Sequence, residues 1–268
     1  MFLAHHYQQN LTNCNLYIFN MSSIMDNNKI TLYDLAQRGE TNRCWSYNVW
    51  KIRLVLNYKK IPFTTAWVDH NTLGPTLKSL GVPPNTTGGF EFTVPTIKLP
   101  DGLMVTDSAV IASRLEGIYP SPALHLDLEL QAQVDRVVHM TCMPLFAIYM
   151  PQVARELIDK ATVPAFSKSR EKRFGMTLEE LETSKGAEKA WVAAESGFAA
   201  MKEILTSHKK DEGPFIRGSQ VCYADFALVA VFEAFKRVGN GMFERALEWD
   251  TAFSDLYRAS QAWLQNDM

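Results

Sequence analysis

Three short stretches place reactive or ligand-holding groups at the ends of elements: "CWSYNVWKIRLVLNYK" from Cys44 to Lys59, "TVPTI" around Pro95, and "TDSAV" around Asp107 and Ser108. In the first, Ser46 stands where an amphipathic helix pattern begins. A helix N-terminus offers unpaired N–H groups and roughly half a positive charge, so it can hold a thiolate. The Ser46 hydroxyl can donate to that anion. Lowering a thiol pKa by about 2 units from ~8.5 requires about 2.7 kcal/mol. One charge-assisted hydrogen bond plus a helix terminus is of that size. Asn48, just inside the helix, can add its amide to the thiolate's surroundings. The competing reading makes Ser46 and Asn48 ordinary caps, since Ser and Asn favour helix starts in any protein.

Pro95 lies directly ahead of a strand. A cis Val94-Pro95 bond there would turn the Val94 backbone outward to pair with an extended peptide. Asp107 and Ser108 open a further helix, where a ligand carboxylate can rest on backbone N–H groups and the Ser108 hydroxyl while Asp107 meets an ammonium. Each stretch alone reads as a turn or a cap. Together they describe a receptor for a small peptide carrying a thiol, a backbone and an amino-acid head.

The elements that must position these groups follow from periodicity. Ile30 to Leu35 reads as a strand, "VWKIRLVLNYK" as a helix, "PFTTAWV" as a strand, and Thr72 to Leu80 as a helix. Two short strands, "VPTIKL" and "LMVT", flank the turn signal Pro100-Asp101-Gly102, and a helix follows from Ser108 to about Tyr119. The order βαβαββα closes near residue 120. "YPSPALHLD" reads as a linker, and everything beyond it as helical. Leu130, Val134, Val138, Cys142, Phe146 and Tyr149 recur on one helical face, with a kink expected at Pro144. "SKSREKR" reads as a solvated surface, Thr177 to Ser207 as one long helix, and Tyr223 to Val238, Met242 to Trp249 and Phe253 to Gln265 as later helices. The fold class is α/β plus all-α: residues 1–28 form a poorly ordered extension, 29–119 the first domain, 120–126 a linker and 127–268 a helical domain.

A net charge of -2 with interspersed signs excludes an electrostatic case for nucleic acid or an anionic membrane. The four cysteines, Cys14, Cys44, Cys142 and Cys222, form no C-x-x-C pair and suggest neither zinc nor a disulfide framework, which points to a reducing cytoplasm. The six histidines, His5, His6, His70, His125, His139 and His208, make no metal spacing. Residues 1–28 lack the pattern of a secretory signal, and no stretch reads as a membrane span. The sequons at Asn10, Asn20 and Asn85 are expected to be idle.

"WSYNVWKIRLVLNYK", "TVPTIKLPDG", "TDSAVIASRLE" and "YADFALV" resemble glutathione S-transferases. The first block is similar to the fungal and etherase-like type, whose usual pattern is Trp-Ser-Pro-Asn before a Trp-Lys-x-Arg helix. The resemblance implies a thioredoxin-like domain followed by an all-helical domain, with Ser46 activating glutathione. Val94, Pro95, Asp107 and Ser108 would bind the tripeptide, and Tyr47, Met140, Met143 and Phe146 would wall a pocket for an apolar electrophile. It implies conjugation or addition-elimination isomerisation, in detoxification or secondary-metabolite biosynthesis, by a homodimer without a metal. The other class of function is a non-catalytic binding module on the same fold.

Three departures stand out. Tyr47 replaces the usual Pro, Asp107 the commoner Glu or Gln, and Cys222 the Ser or Thr of a capping box. Cys44 is an alternative nucleophile, although Ser46 holds the expected offset from Lys51.

Overall fold

The structure is a computed structural model that describes residues 29–39, 41–86 and 89–267. The expectations for the 1–28 extension, with Cys14, His5, His6, Asn10 and Asn20, lie outside the described residues.

β1 (Ile30–Leu35) pairs in parallel with β2 (Phe63–Val68), Ile30 opposite Phe63 and Leu35 opposite Val68. β3 (Thr96–Lys98) runs antiparallel to β1, and β4 (Met104–Thr106) antiparallel to β3, giving the order β2-β1-β3-β4. Helix α1 (Tyr47–Tyr58) supplies the crossover between β1 and β2. It is buried on nearly every side: Val49, Trp50, Ile52, Leu54, Val55 and Leu56 are core, and Lys51 and Arg53 are buried with them. α2 (Leu73–Ser79) precedes β3, and α3 (Ser108–Ile118) closes the unit. The Val94-Pro95 bond is cis, as is Ser121-Pro122.

The second unit is helical: α4 (Leu128–Gln152), α5 (Val163–Phe174), α6 (Leu178–Lys185), α7 (Ala187–Ser207), α8 (Tyr223–Val238), α9 (Met242–Glu248) and α10 (Thr251–Ala259). α8 is its centre. Every residue but Lys236 and Arg237 is buried, and it packs on α1, α4 and α9. α4 and α7 cross closely because position 197 is a glycine, where an added Cβ would stand 2.6 Å from the Thr141 backbone nitrogen.

Several expectations require correction. The helix expected over Thr177 to Ser207 is broken at Gly186, whose extended backbone puts a would-be Cβ 2.3 Å from the Glu182 carbonyl oxygen. "SKSREKR" is no simple solvated surface. It lies in α5, whose Phe166 is fully buried. Pro144 lies inside α4, which runs on to Gln152, and a π-helical turn that the periodicity did not predict, Val153–Leu157, follows Pro151. The last helix ends at Ala259 with a separate 3-10 turn at Gln261–Trp263. Leu128–Leu157 does reach membrane-spanning length and apolarity, but 67% of its most apolar stretch is buried within the fold, as in a core helix. The Asn85 side-chain nitrogen donates to Phe90 O (3.1 Å) and Thr93 Oγ1 (3.2 Å).

Cys222 keeps its place in the capping box at the start of α8, its side chain taking the Asp225 N–H, and it is a donor as well. Its thiol faces Asp225 Oδ2 at 3.1 Å and donates, while its backbone N–H donates to the same oxygen at 2.8 Å. Asp225 Oδ1 accepts from the Ile216 N–H at 2.7 Å. A buried carboxylate thus satisfies donors from three directions. Asp225→Ala leaves two buried N–H groups unsatisfied and is expected to lower stability by roughly 2–4 kcal/mol. An unchanged urea midpoint would show that water replaces the carboxylate there.

Candidate active site

One cleft of about 530 Å³ opens between the two units, lined by Ser46, Tyr47 and Asn48 of the α1 start, Val94 and Pro95, Asp107 and Ser108, and residues of α4, α5 and α8. Three stretches far apart in the chain therefore meet. Met143 and Phe146 form part of the α4 wall, whereas Met140 does not: it is 38% exposed on the outside of the same helix. Met140 and Met143 are three positions apart, but the cleft reaches only the edge of that face.

Ser46 is the N-cap of α1 with extended backbone, and its hydroxyl makes no capping bond. It is half-buried, with the oxygen left available to a ligand. The loop holding it is anchored from elsewhere: Tyr149 Oη of α4 donates to Trp45 O at 2.8 Å, Trp50 Nε1 to Cys44 O at 3.0 Å, and the Cys44 N–H to Asp267 O at 3.1 Å. Tyr47, in place of Pro, begins the helix and sets its ring 4.9 Å from Lys51 Nζ. Burial raises its phenol pKa, so the hydroxyl stays protonated.

Among the described residues, neither the N–H nor the C=O of Val94 makes a hydrogen bond, which leaves both for an extended ligand. Asp107 sits at φ 74°, a left-handed backbone uncommon outside glycine. Such a conformation costs about 1–3 kcal/mol and tends to mark functional positions. Its Oδ1 accepts from the Ala109 N–H (2.9 Å) and Val110 N–H (3.1 Å), leaving Oδ2 uncommitted to the cap. Ser108 is buried and within reach of the Tyr223 hydroxyl.

Basic groups that sequence reading did not place also line the cleft: Lys51, Arg170 and Arg173, with His70, whose pKa is lowered by burial and by Arg170. Lys51 is 6% exposed, and burial depresses its pKa against the pull of Asp135 and Asp107. Phe166, Arg170, Arg173 and Phe174 fall at i, i+4, i+7 and i+8, one helical stripe, and this was the signal available in "SKSREKR".

The described thiols are buried, which disfavours their thiolate forms. Cys44 is fully buried, and desolvation, with the Asp34 carboxylate beside it, raises its pKa far above the usual range. Burial pushes Cys142 up to about 12. The weighed alternative of Cys44 chemistry has no geometric support. Among the described residues no cluster of His, Cys, Asp or Glu can hold a metal.

Residues 45–118 match the family model for the glutathione S-transferase N-terminal domain, and residues 130–257 that for its C-terminal domain. The chain is 32% identical to glutathione S-transferase-like protein ustS of Aspergillus flavus over 243 residues, covering 84% of this chain and 87% of the relative. The chain belongs to the glutathione S-transferase family. Solved members are close in shape. Glutathione transferase GSTFuA3 of Phanerochaete chrysosporium superposes with TM-score 0.80 at 26% identity, covering 90% of this chain and 99% of that one. CsGST83044 of Ceriporiopsis subvermispora, solved with glutathione, gives 0.77 at 27%, covering 87% and 98%.

In this transferase the described cysteines are expected to resist alkylation. Iodoacetamide at neutral pH, followed by peptide mass mapping, should leave Cys44, Cys142 and Cys222 unmodified until urea is added. Rapid native labelling of Cys44 would restore it as a candidate nucleophile.

Proposed function

We propose that the protein binds glutathione along the cleft and presents its thiolate to an electrophilic small molecule with an apolar body. The observation that carries this reading is the uncommitted Ser46 hydroxyl at a helix start, in one cleft with the unpaired Val94 backbone and the Asp107-Ser108 turn. Ser46 donates to sulfur, assisted by the α1 N-terminus and the Asn48 amide. Val94 pairs with the cysteinyl backbone. Asp107 takes the glutamyl ammonium, and the α3 N-terminus with Ser108 takes its carboxylate. Glutathione bound to CsGST83044 supports the ligand.

In conjugation, the thiol proton leaves to solvent and sulfur forms a bond to the electrophilic carbon. With an enone, the π pair moves to the carbonyl oxygen, and the α-carbon then takes a proton from water. If the enolate instead rotates and expels the thiolate, glutathione is returned and only the double-bond geometry changes. Ether cleavage would use the same thiolate in displacement. Tyr47, Met143 and Phe146 supply an apolar wall. The proposed setting is the cytoplasm, in detoxification or secondary-metabolite synthesis.

Ser46→Ala is expected to lower kcat/KM toward 1-chloro-2,4-dinitrobenzene by tenfold or more at neutral pH, the loss of about 1.4 kcal/mol or more of thiolate stabilisation, with the ultraviolet thiolate titration shifted to higher pH. Asp107→Ala, remote from sulfur, should instead weaken glutathione binding by calorimetry. Unchanged turnover and titration in Ser46→Ala would remove Ser46 from the chemistry.

We also propose a homodimer. Ile111 and Leu115 of α3 are buried in their own domain, whereas Val110, Ile118 and Leu128 face outward. Exposed apolar side chains of this kind suit a two-fold partner. Sedimentation at micromolar concentration should show about twice the 30.3 kDa chain mass; a single species at chain mass with full turnover would make the pair dispensable.

A further inference from the structure

Two guanidinium groups on one face of α5 line the cleft, and among the described residues neither makes an ion pair with a carboxylate. Arg170 Nη1 donates to Ser169 Oγ at 2.7 Å and stands 3.4 Å from His70 Nε2, while its Nε is buried with no hydrogen-bond partner. Its plane packs 4.1 Å from the Phe166 ring centre and 5.4 Å from that of Phe90. Arg173 reaches Met143 Sδ at 3.9 Å and lies over Phe146 at 5.6 Å, so it belongs to the acceptor wall. α5 is held in place at its start, where Thr162 Oγ1 donates to Asp69 Oδ2 at 2.7 Å.

Burial and the like charge of Arg173 press Arg170 down to about 10. The carboxylates of the cleft, Asp107 and Asp135, act on Lys51. Arg170, desolvated and set beside the exposed Arg173, is unfavourably placed unless an anion joins the two. Guanidinium groups held flat on aromatic rings keep their donors in the planar fork that fits a carboxylate.

We propose that Arg170 and Arg173 form a carboxylate subsite for the acceptor, so that the preferred electrophile is an organic acid with an apolar body. This rests on reading the cleft as a glutathione transferase site. The subsite would bind and orient the electrophile while Ser46 acts on sulfur, which makes the arginines specificity residues.

The test compares ethacrynic acid, an enone bearing a carboxylate, with its methyl ester, both corrected for the uncatalysed reaction with glutathione. The wild type should favour the acid in kcat/KM. Arg173→Gln, at an exposed position that does not endanger folding, should cut the acid-to-ester ratio by roughly tenfold, through KM, the loss expected for one charge-assisted contact. Arg170→Gln should cut it further, and glutathione affinity by calorimetry should change less than about twofold in either variant. An unchanged ratio would overturn the proposal. So would weakened glutathione binding with the ratio intact, which would place glutathione's own glycyl carboxylate on the arginines. Failure of the wild type to bind glutathione at all would overturn the transferase reading and the subsite with it.

Discussion

The position of the loop that holds Ser46 depends on an ion pair from which water is excluded. Asp34 of β1 and Arg53 of α1 are both fully buried, with Arg53 Nε and Nη2 donating to Asp34 Oδ2 at 3.2 and 3.1 Å. Removing such charges from water costs several kcal/mol per ion, which only good geometry and further hydrogen bonds offset. Here the Leu35 N–H donates to Asp34 Oδ1 at 2.7 Å, Arg53 also reaches Thr65 of β2 at 3.0 Å, and its guanidinium packs on Trp67 and Phe63. α1 cannot slide along the sheet without leaving a bare buried charge. Ser46 lies seven residues upstream on that helix, so its place is set by the same pair.

The helical unit does more than wall the other side of the cleft. Tyr149 from α4 and Asp267 from the C-terminal segment both grip the Cys44 to Trp45 backbone. Asn57 on the far end of α1 donates to Trp263 O at 2.7 Å, and the rings of Tyr58, Phe226 and Trp263 pack edge to face. The geometry at Ser46 is therefore a joint product of both units. A perturbation of α8 or of the last residues reaches the Ser46 loop through hydrogen bonds that can be named.

Charge is unevenly distributed along the cleft. Asp107 brings a carboxylate and a helix start to the α3 end, while Arg170, Arg173 and His70 bring positive or protonatable groups from α5 and the β2 to α2 loop. A zwitterionic amino-acid head suits the first and an anionic acceptor the second. Lys51 stands on α1 beside Tyr47, where its buried ammonium raises the potential near the place proposed for the thiolate.

Local patterns determined much of this. The start of α1 at Ser46 and Tyr47, the strand pairs around the Pro100-Asp101-Gly102 turn, the Asp107 cap and the α8 span could be read from caps, breakers and periodicity, because those signals act within a few residues. The meeting of Ser46, Val94 and Asp107 in one cleft was expected from resemblance, and the fold places them there. The direction of individual side chains was decided elsewhere. Arg170 and Arg173 face the cleft, Met140 misses it, and Thr177 to Ser207 breaks at Gly186, where the backbone turns extended. A charged residue on a helix carries the same local pattern whether its face meets water or a cleft. Only the packing of α5 against the β2 to α2 loop, and of α4 against α7, settles which one it meets.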